Sequence, residues 1–116
     1  MNIQIFGKSK CFDTKKAERF FKERKISFQY IDMAEKGLSK GELEKVIRAT
    51  GGIDNLVDEK SKDKDKLLLF KYAKNDNKFD ILLLNQQIIK TPVVRNGNQA
   101  TIGYEFETWK KWEAEK

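Results

Sequence analysis

Between an alternating apolar segment, Ile3-Gln4-Ile5-Phe6, and a helix-like stretch carrying Ala17, Phe20 and Phe21 stands the chain's only cysteine, Cys11. The apolar period changes from two to about 3.6 across this point, which predicts a strand, a short loop and a helix with the thiol at the junction. Free backbone N–H groups and the helix dipole stabilise negative charge at such a place. The thiolate is the reactive form of cysteine, so the position suits a nucleophile. The polar loop before it, Gly7-Lys8-Ser9-Lys10, argues for exposure of the sulfur, and Lys8, Lys10 and Lys15 favour its ionised form. The competing reading is a buried, inert thiol packed as a small hydrophobe. Thr14, one helical turn on, either donates its hydroxyl to the sulfur or is an ordinary first-turn residue.

The same reading extends along the chain. Residues 2–7 and 27–32 are expected to be strands, the second with Phe28 and Tyr30 on one face, separated by a helix over 12–24. Two strands joined through a helix run parallel with a right-handed crossover. Ser39 and Glu42 fit a capping box, and Leu38 with Leu43 fits a hydrophobic staple. Leu43, Val46 and Ile47 supply that helix's apolar face, and Gly51-Gly52 ends it. Residues 56–74 are expected to be helical, polar at first and apolar from Leu67 to Tyr72. Asp76 or Asn77 caps a further helix with Phe79, Leu82 and Leu83. Strands at 92–96 and 99–102 are joined by Asn96-Gly97-Asn98, a hairpin signal, and a last helix starts near Tyr104 with Phe106 and Trp109 facing the sheet. The order is β-α-β, a helical segment, then β-β-α. With 116 residues the chain is expected to be one domain, 1–37 and 87–116 forming the sheet-bearing core and 38–86 the helical insertion.

Composition narrows the function. There is no histidine, which removes imidazole catalysis and makes a metal site unexpected. A lone cysteine cannot build an internal disulfide framework, so a reducing, cytoplasmic setting is expected. The opening Met-Asn-Ile-Gln-Ile-Phe has neither the basic start nor the long apolar core of a signal peptide, and no run is long enough for a membrane span. The net charge is +6, but the charges are interspersed, as in Lys60-Ser61-Lys62-Asp63-Lys64-Asp65-Lys66. Such a stretch reads as a solvated surface, so direct nucleic-acid binding is not expected, and the chain is expected to be a monomer.

The order of elements, with Cys11 after the first strand and Pro92, the only proline, opening the third, resembles the arsenate reductase (ArsC)/Spx family. The residues that carry the resemblance are Ile3-Gln4-Ile5-Phe6, Cys11-Phe12-Asp13-Thr14-Lys15-Lys16-Ala17, Phe28-Gln29-Tyr30-Ile31-Asp32, Thr91-Pro92-Val93-Val94 and Ile102-Gly103. It covers residues 2–113 and implies an α/β protein with a thioredoxin/glutaredoxin-like four-stranded mixed sheet and a helical insertion between the βαβ and ββα halves. It also implies that Cys11 is the nucleophile and that Pro92 is cis, setting the Thr91 backbone beside the sulfur.

The departures from the family pattern are informative. Arsenate-reducing members carry an arginine directly before the proline, where this chain has Thr91. A second follows the last strand, at Gly103 or Tyr104 here, and a third falls near Asp58. A guanidinium fork binds oxyanions through paired hydrogen bonds that lysine does not reproduce, which argues against arsenate reduction. The Spx branch often has a second cysteine three positions on, where this chain has Thr14, so an internal redox switch is impossible. Cys-x-x-Thr is closer to monothiol glutaredoxin chemistry, in which an external thiol resolves the mixed disulfide.

The resemblance therefore implies an ArsC-family, glutaredoxin-like thiol oxidoreductase without a bound cofactor. Glutathione or another low-molecular-weight thiol would be the co-substrate, and a small thiol or thiol-bearing protein the partner. Cys11 and Thr14 form the expected catalytic pair and Thr91-Pro92 aligns substrate. Lys8, Lys10, Lys90 and Arg95 are expected to form an anion-attracting rim. The alternative is an Spx-like transcriptional regulator that binds the RNA polymerase alpha subunit without catalysis, with Gly52 in the contacting region.

Overall fold

A computed structural model describes residues 1–115. Four strands, β1 (Ile3–Gly7), β2 (Phe28–Asp32), β3 (Val93–Asn96) and β4 (Gln99–Ile102), form one sheet in the order β2-β1-β3-β4. β1 and β2 are parallel, whereas β3 runs antiparallel to both β1 and β4. The helices are α1 (Phe12–Glu23), α2 (Lys40–Thr50), α3 (Lys64–Tyr72), α4 (Asn75–Leu84) and α5 (Phe106–Ala114). A βαβ unit and a ββα unit sharing a mixed sheet, with α2–α4 inserted between them, make an α/β protein of the thioredoxin-like fold.

Alternation along the strands divides the core in two. Ile3, Ile5 and Val94 face Ala17, Phe20 and Phe21 of α1 and Trp109 and Trp112 of α5. Phe6, Ile31 and Val93 face the insertion, where Leu43 and Val46 of α2, Leu67 and Phe70 of α3 and Leu82 of α4 meet them. Each fully buried side chain of this size contributes about 1.5–3 kcal/mol, far more than the few tenths separating helix propensities, so these two apolar faces decide where each helix lies. The indole Nε1–H of buried Trp109 donates to Thr101 Oγ1 at 2.8 Å, fixing α5 to β4.

The capping box forms as expected. Ser39 Oγ accepts from the Glu42 amide at 3.2 Å, and Glu42 Oε1 accepts from the Ser39 amide at 2.8 Å. Gly51, at φ 90°, closes α2 in the left-handed conformation that a side chain disfavours.

The helix expected over 56–74 exists only in its second half. A 3-10 turn at Ile53–Leu56 leads to Val57, which forms an isolated antiparallel bridge with Ile89. The Asp58 amide donates to the Ile88 carbonyl at 2.8 Å and the Lys90 amide to the Leu56 carbonyl at 2.7 Å. These bonds to a distant segment, together with burial of Val57, outweigh the weak helical preference of a polar stretch. α3 begins only after Asp63, whose carboxylate accepts from the Lys66 amide at 3.2 Å. α4 begins after Lys74, an N-cap residue without a side-chain capping bond, rather than after Asp76 or Asn77. Among the described residues no helix is long and apolar enough to cross a membrane.

Candidate active site

Cys11 is the N-cap residue of α1, with extended backbone dihedrals (φ −88°, ψ 117°). Its amide donates to the Lys8 carbonyl at 3.0 Å and its carbonyl accepts from the Lys15 amide at 3.2 Å, so the loop and the first helical turn fix the sulfur's origin. The side chain is half-buried. Burial alone pushes the thiol pKa up, but the side chains of Thr14 and Thr91 and the amides of Thr14 and Asp13 outweigh it and hold the pKa below the ordinary value. The orphan amides of a helix N-terminus and a hydroxyl thus converge on one sulfur.

Thr14 is fully buried, and its Oγ1 accepts from the Lys8 amide at 3.4 Å. A hydroxyl that accepts from the backbone still has its own proton to give, and the Thr14 side chain lowers the pKa of the sulfur one turn back. Across the site the Thr91 carbonyl oxygen lies 3.6 Å from Cys11 Sγ, which donates to it in the thiol form. The Thr91–Pro92 bond is cis. The Gly103 amide donates to the Pro92 carbonyl at 2.8 Å, tying this turn to the end of β4.

A cavity of about 470 Å³ opens in front of the sulfur. Its wall includes Lys8, Lys10, Gln87 and Thr91, together with Asp58 and Lys60–Asp63 from the insertion. Lys8 Nζ donates to the Gln87 carbonyl at 2.9 Å, and Gln87 Nε2 donates to Asp63 Oδ2 at 3.0 Å. The Gln87 side chain and the Lys66 amide hold the Asp63 carboxyl below the usual carboxylate range. Lys10 is exposed on the rim. Among the described residues no cluster of three or more His, Cys, Asp and Glu side chains is suited to a metal.

Two expected rim residues lie elsewhere. Lys90 lines a separate cavity with Thr50, Asn55 and Glu105, its alkyl chain packed over Gly103. Arg95 is buried and committed to other acceptors: Gln4 Oε1 at 2.8 Å, Glu42 Oε2 at 3.3 Å and the Gly97 carbonyl at 3.1 Å. It clamps β3 to α2 through the carboxylate oxygen that the capping box leaves free. Proximity in sequence to Pro92 carries no such directional information.

Lys60 and Lys62, from a stretch whose interspersed charges suggest a solvated surface, take their place at the cavity. A local signal for their loop exists. Asp58 Oδ1 accepts from the Lys60 amide at 2.9 Å and Ser61 Oγ from the Asp63 amide at 3.2 Å. Asp and Ser bonding two residues ahead are turn-forming arrangements that compete with a helix.

The ArsC family model matches residues 6–112. The chain belongs to the ArsC family. Global transcriptional regulator Spx 2 from Oceanobacillus iheyensis is 25% identical over 112 residues, covering 90% of this chain and 78% of that protein. Among solved structures, an ArsC-family-related protein from Bacteroides fragilis superposes with a TM-score of 0.82 at 18% identity, covering 96% of this chain and 97% of its own. An arsenate reductase from Vibrio cholerae superposes at 0.80 with 21% identity and the same coverage of both chains. At these identities the superpositions speak to the fold. In this ArsC-family chain the residue before the cis proline is Thr91, and the cations lining the thiol cavity among the described residues are all lysines.

Proposed function

We propose that this ArsC-family protein is a single-cysteine thiol oxidoreductase. The reading rests on one observation: Cys11 Sγ stands at an open cavity, with the Thr14 hydroxyl and two α1 amides directed at it and its pKa lowered despite partial burial. The Cys11 thiolate attacks one sulfur of a mixed disulfide. A Cys11–substrate disulfide forms, the original S–S bond breaks, and the other half leaves as a thiolate. A second, external thiolate attacks the substrate-derived sulfur, forms a new disulfide with it and returns Cys11 as thiolate. With glutathione in that role, a glutathionylated protein and one glutathione yield the free protein thiol and oxidised glutathione. Thr14 and the helix amides stabilise the sulfur anion at both ends of the cycle, and Thr91 lines the approach.

Arsenate is a poorer fit as substrate. Lysine ammonium groups attract an oxyanion as point charges, without the planar two-point grip of a guanidinium. The alkylation rate of Cys11 against pH, together with glutathione-dependent reduction of a glutathionylated substrate by wild type and Cys11→Ser, tests the reading. The expected results are an apparent pKa below the free-thiol value of about 8.5 and turnover that vanishes in Cys11→Ser. An unshifted pKa, or turnover independent of Cys11, would sink it.

A second reading, an Spx-like regulator acting on the RNA polymerase alpha subunit, is supported by the likeness to Spx 2. Gly52, just past the Gly51 cap of α2 and with open space around it, is the position that this reading singles out. Co-purification discriminates: capture of the alpha subunit that Gly52→Arg abolishes favours the regulator, and failure to capture it removes that reading.

A further inference from the structure

The outer seam between α1 and α5 takes no part in the chemistry described above. A groove of about 400 Å³ runs along it, lined by the rings of Phe20, Tyr104 and Phe106 and by four cations, Lys16, Arg19, Arg24 and Lys110. Glu23 is the single carboxylate lining it among the described residues. Three of the cations stand over the three rings: Lys16 Nζ is 5.4 Å from the Tyr104 centroid, Arg24 Cζ 3.8 Å from that of Phe20 and Lys110 Nζ 4.7 Å from that of Phe106. A ring quadrupole positions a cation without neutralising it. Arg24 meets Glu113 at 3.3 Å and Lys16 approaches Asp13 at 3.9 Å, whereas Arg19 and Lys110 form no ion pair among the described residues. The groove therefore presents excess positive charge over an aromatic wall.

Its position ties it to the thiol. Phe12, directly after Cys11, is 78% exposed. Lys16 lies one helical turn beyond Phe12 on the same face, and Arg19 and Phe20 follow on the next turn. On the other wall Tyr104 follows Gly103, which is bonded to Pro92 beside the sulfur. From Phe12 to Arg24 the seam runs for about 18 Å, the span of roughly five extended residues.

We propose that this seam docks an acidic, extended segment of a protein substrate, next to the cysteine whose disulfide Cys11 attacks. The proposal rests on the thiol oxidoreductase reading and names the substrate class. Carboxylates of the segment pair with Arg19, Lys16 and Lys110, and an apolar side chain covers Phe12. A nucleic-acid strand fits less well, because bases need free ring faces to stack on and cations already cover them. An acidic peptide leaves those cations where they are and supplies the charge they lack.

The test uses two peptides, each with one cysteine joined to glutathione in a mixed disulfide, flanked by Asp and Glu in one and by Ser and Gln in the other. Wild type is expected to have a KM about tenfold lower for the acidic peptide, and Arg19→Glu/Lys110→Glu to abolish that ratio. Taking the ratio within one variant cancels any general loss of folding or thiol reactivity. In wild type alone, the preference is expected to fall as salt rises. Fluorescence anisotropy with Cys11→Ser and the corresponding cysteine-free peptides reads docking without turnover. Selective binding with no turnover by wild type indicts the oxidoreductase reading and leaves the docking site standing. Equal binding of the two peptides, a salt-independent preference, or a preference that survives charge reversal overturns the docking site. Tighter binding of a single-stranded oligonucleotide, abolished by the same reversal, also overturns it and assigns the groove to nucleic acid.

Discussion

A methyl group on Gly7 would stand 2.3 Å from Cγ2 and 2.7 Å from Oγ1 of Thr14. The last residue of β1 and the first turn of α1 therefore interlock without room for a Cβ. That contact, more than any backbone freedom of glycine, is what position 7 requires. Because Thr14 is pressed against β1, its hydroxyl is held against the Lys8 amide, from where the side chain lowers the Cys11 pKa.

Gly7→Ala consequently displaces Thr14, whose atoms nearest the new methyl belong to a short β-branched side chain with no flexible end to yield. Stability is expected to fall by about 1–3 kcal/mol, the usual cost of overpacking a buried contact. The Cys11 pKa is expected to rise toward the free-thiol value. Urea denaturation reads the first effect and iodoacetamide alkylation against pH the second. An unchanged alkylation profile would show that the position of Thr14 does not control the thiol.

Thr14→Val keeps the shape of the side chain and removes only the hydroxyl. The sulfur anion loses a donor and the Lys8 amide loses an acceptor. A charge-assisted hydrogen bond is worth roughly 1.5–3 kcal/mol, so alkylation near neutral pH is expected to slow at least several-fold as the thiolate fraction falls. Thr14→Ser, which keeps the donor, is expected to retain most of the rate. Equal rates for Val and Ser would rule out the hydroxyl as the cause.

What is legible in the sequence follows the range of the forces involved. The thiol at the mouth of α1 and the Ser39–Glu42 box are arrangements within four residues of sequence, and both are present in the fold. The loop around Lys60 and Lys62 depended on Val57 pairing with Ile89 across two intervening helices, which no local period encodes. Closeness to Pro92 in sequence suggests Arg95 and Lys90 as rim residues. Side-chain direction along a strand instead sent Arg95 to Glu42, and Lys90 turned toward Gly103. The α1–α5 groove was likewise invisible, because its cations and rings come from opposite ends of the chain.

The role of Arg95 as a clamp predicts a clean separation of stability from chemistry. Arg95→Met leaves Gln4, the Gly97 carbonyl and one Glu42 oxygen without their donor. Breaking a pair this buried costs roughly 2 to 4 kcal/mol, discounted here because water still reaches part of Glu42. Urea denaturation is expected to show that loss while the alkylation profile of Cys11 in the folded protein stays the same. A shift in the profile would return Arg95 to the thiol site.

The lowered Cys11 pKa also fixes a sign for stability against pH. Because the folded protein holds the thiolate at lower pH than the unfolded chain does, the unfolded state binds more protons between the two pKa values, and stability from this group rises with pH there. The contribution is complete above the unfolded-state value of about 8.5 and is lost as pH falls through the folded value. Cys11→Ser removes the titration. The stability difference between wild type and Cys11→Ser is therefore expected to grow in favour of wild type as pH is raised through that window and to level off above it. Urea denaturation of both proteins across the window measures the difference. A gap that stays constant or narrows with rising pH would mean that the folded protein does not favour the thiolate, and the nucleophile proposed here would lose its physical basis.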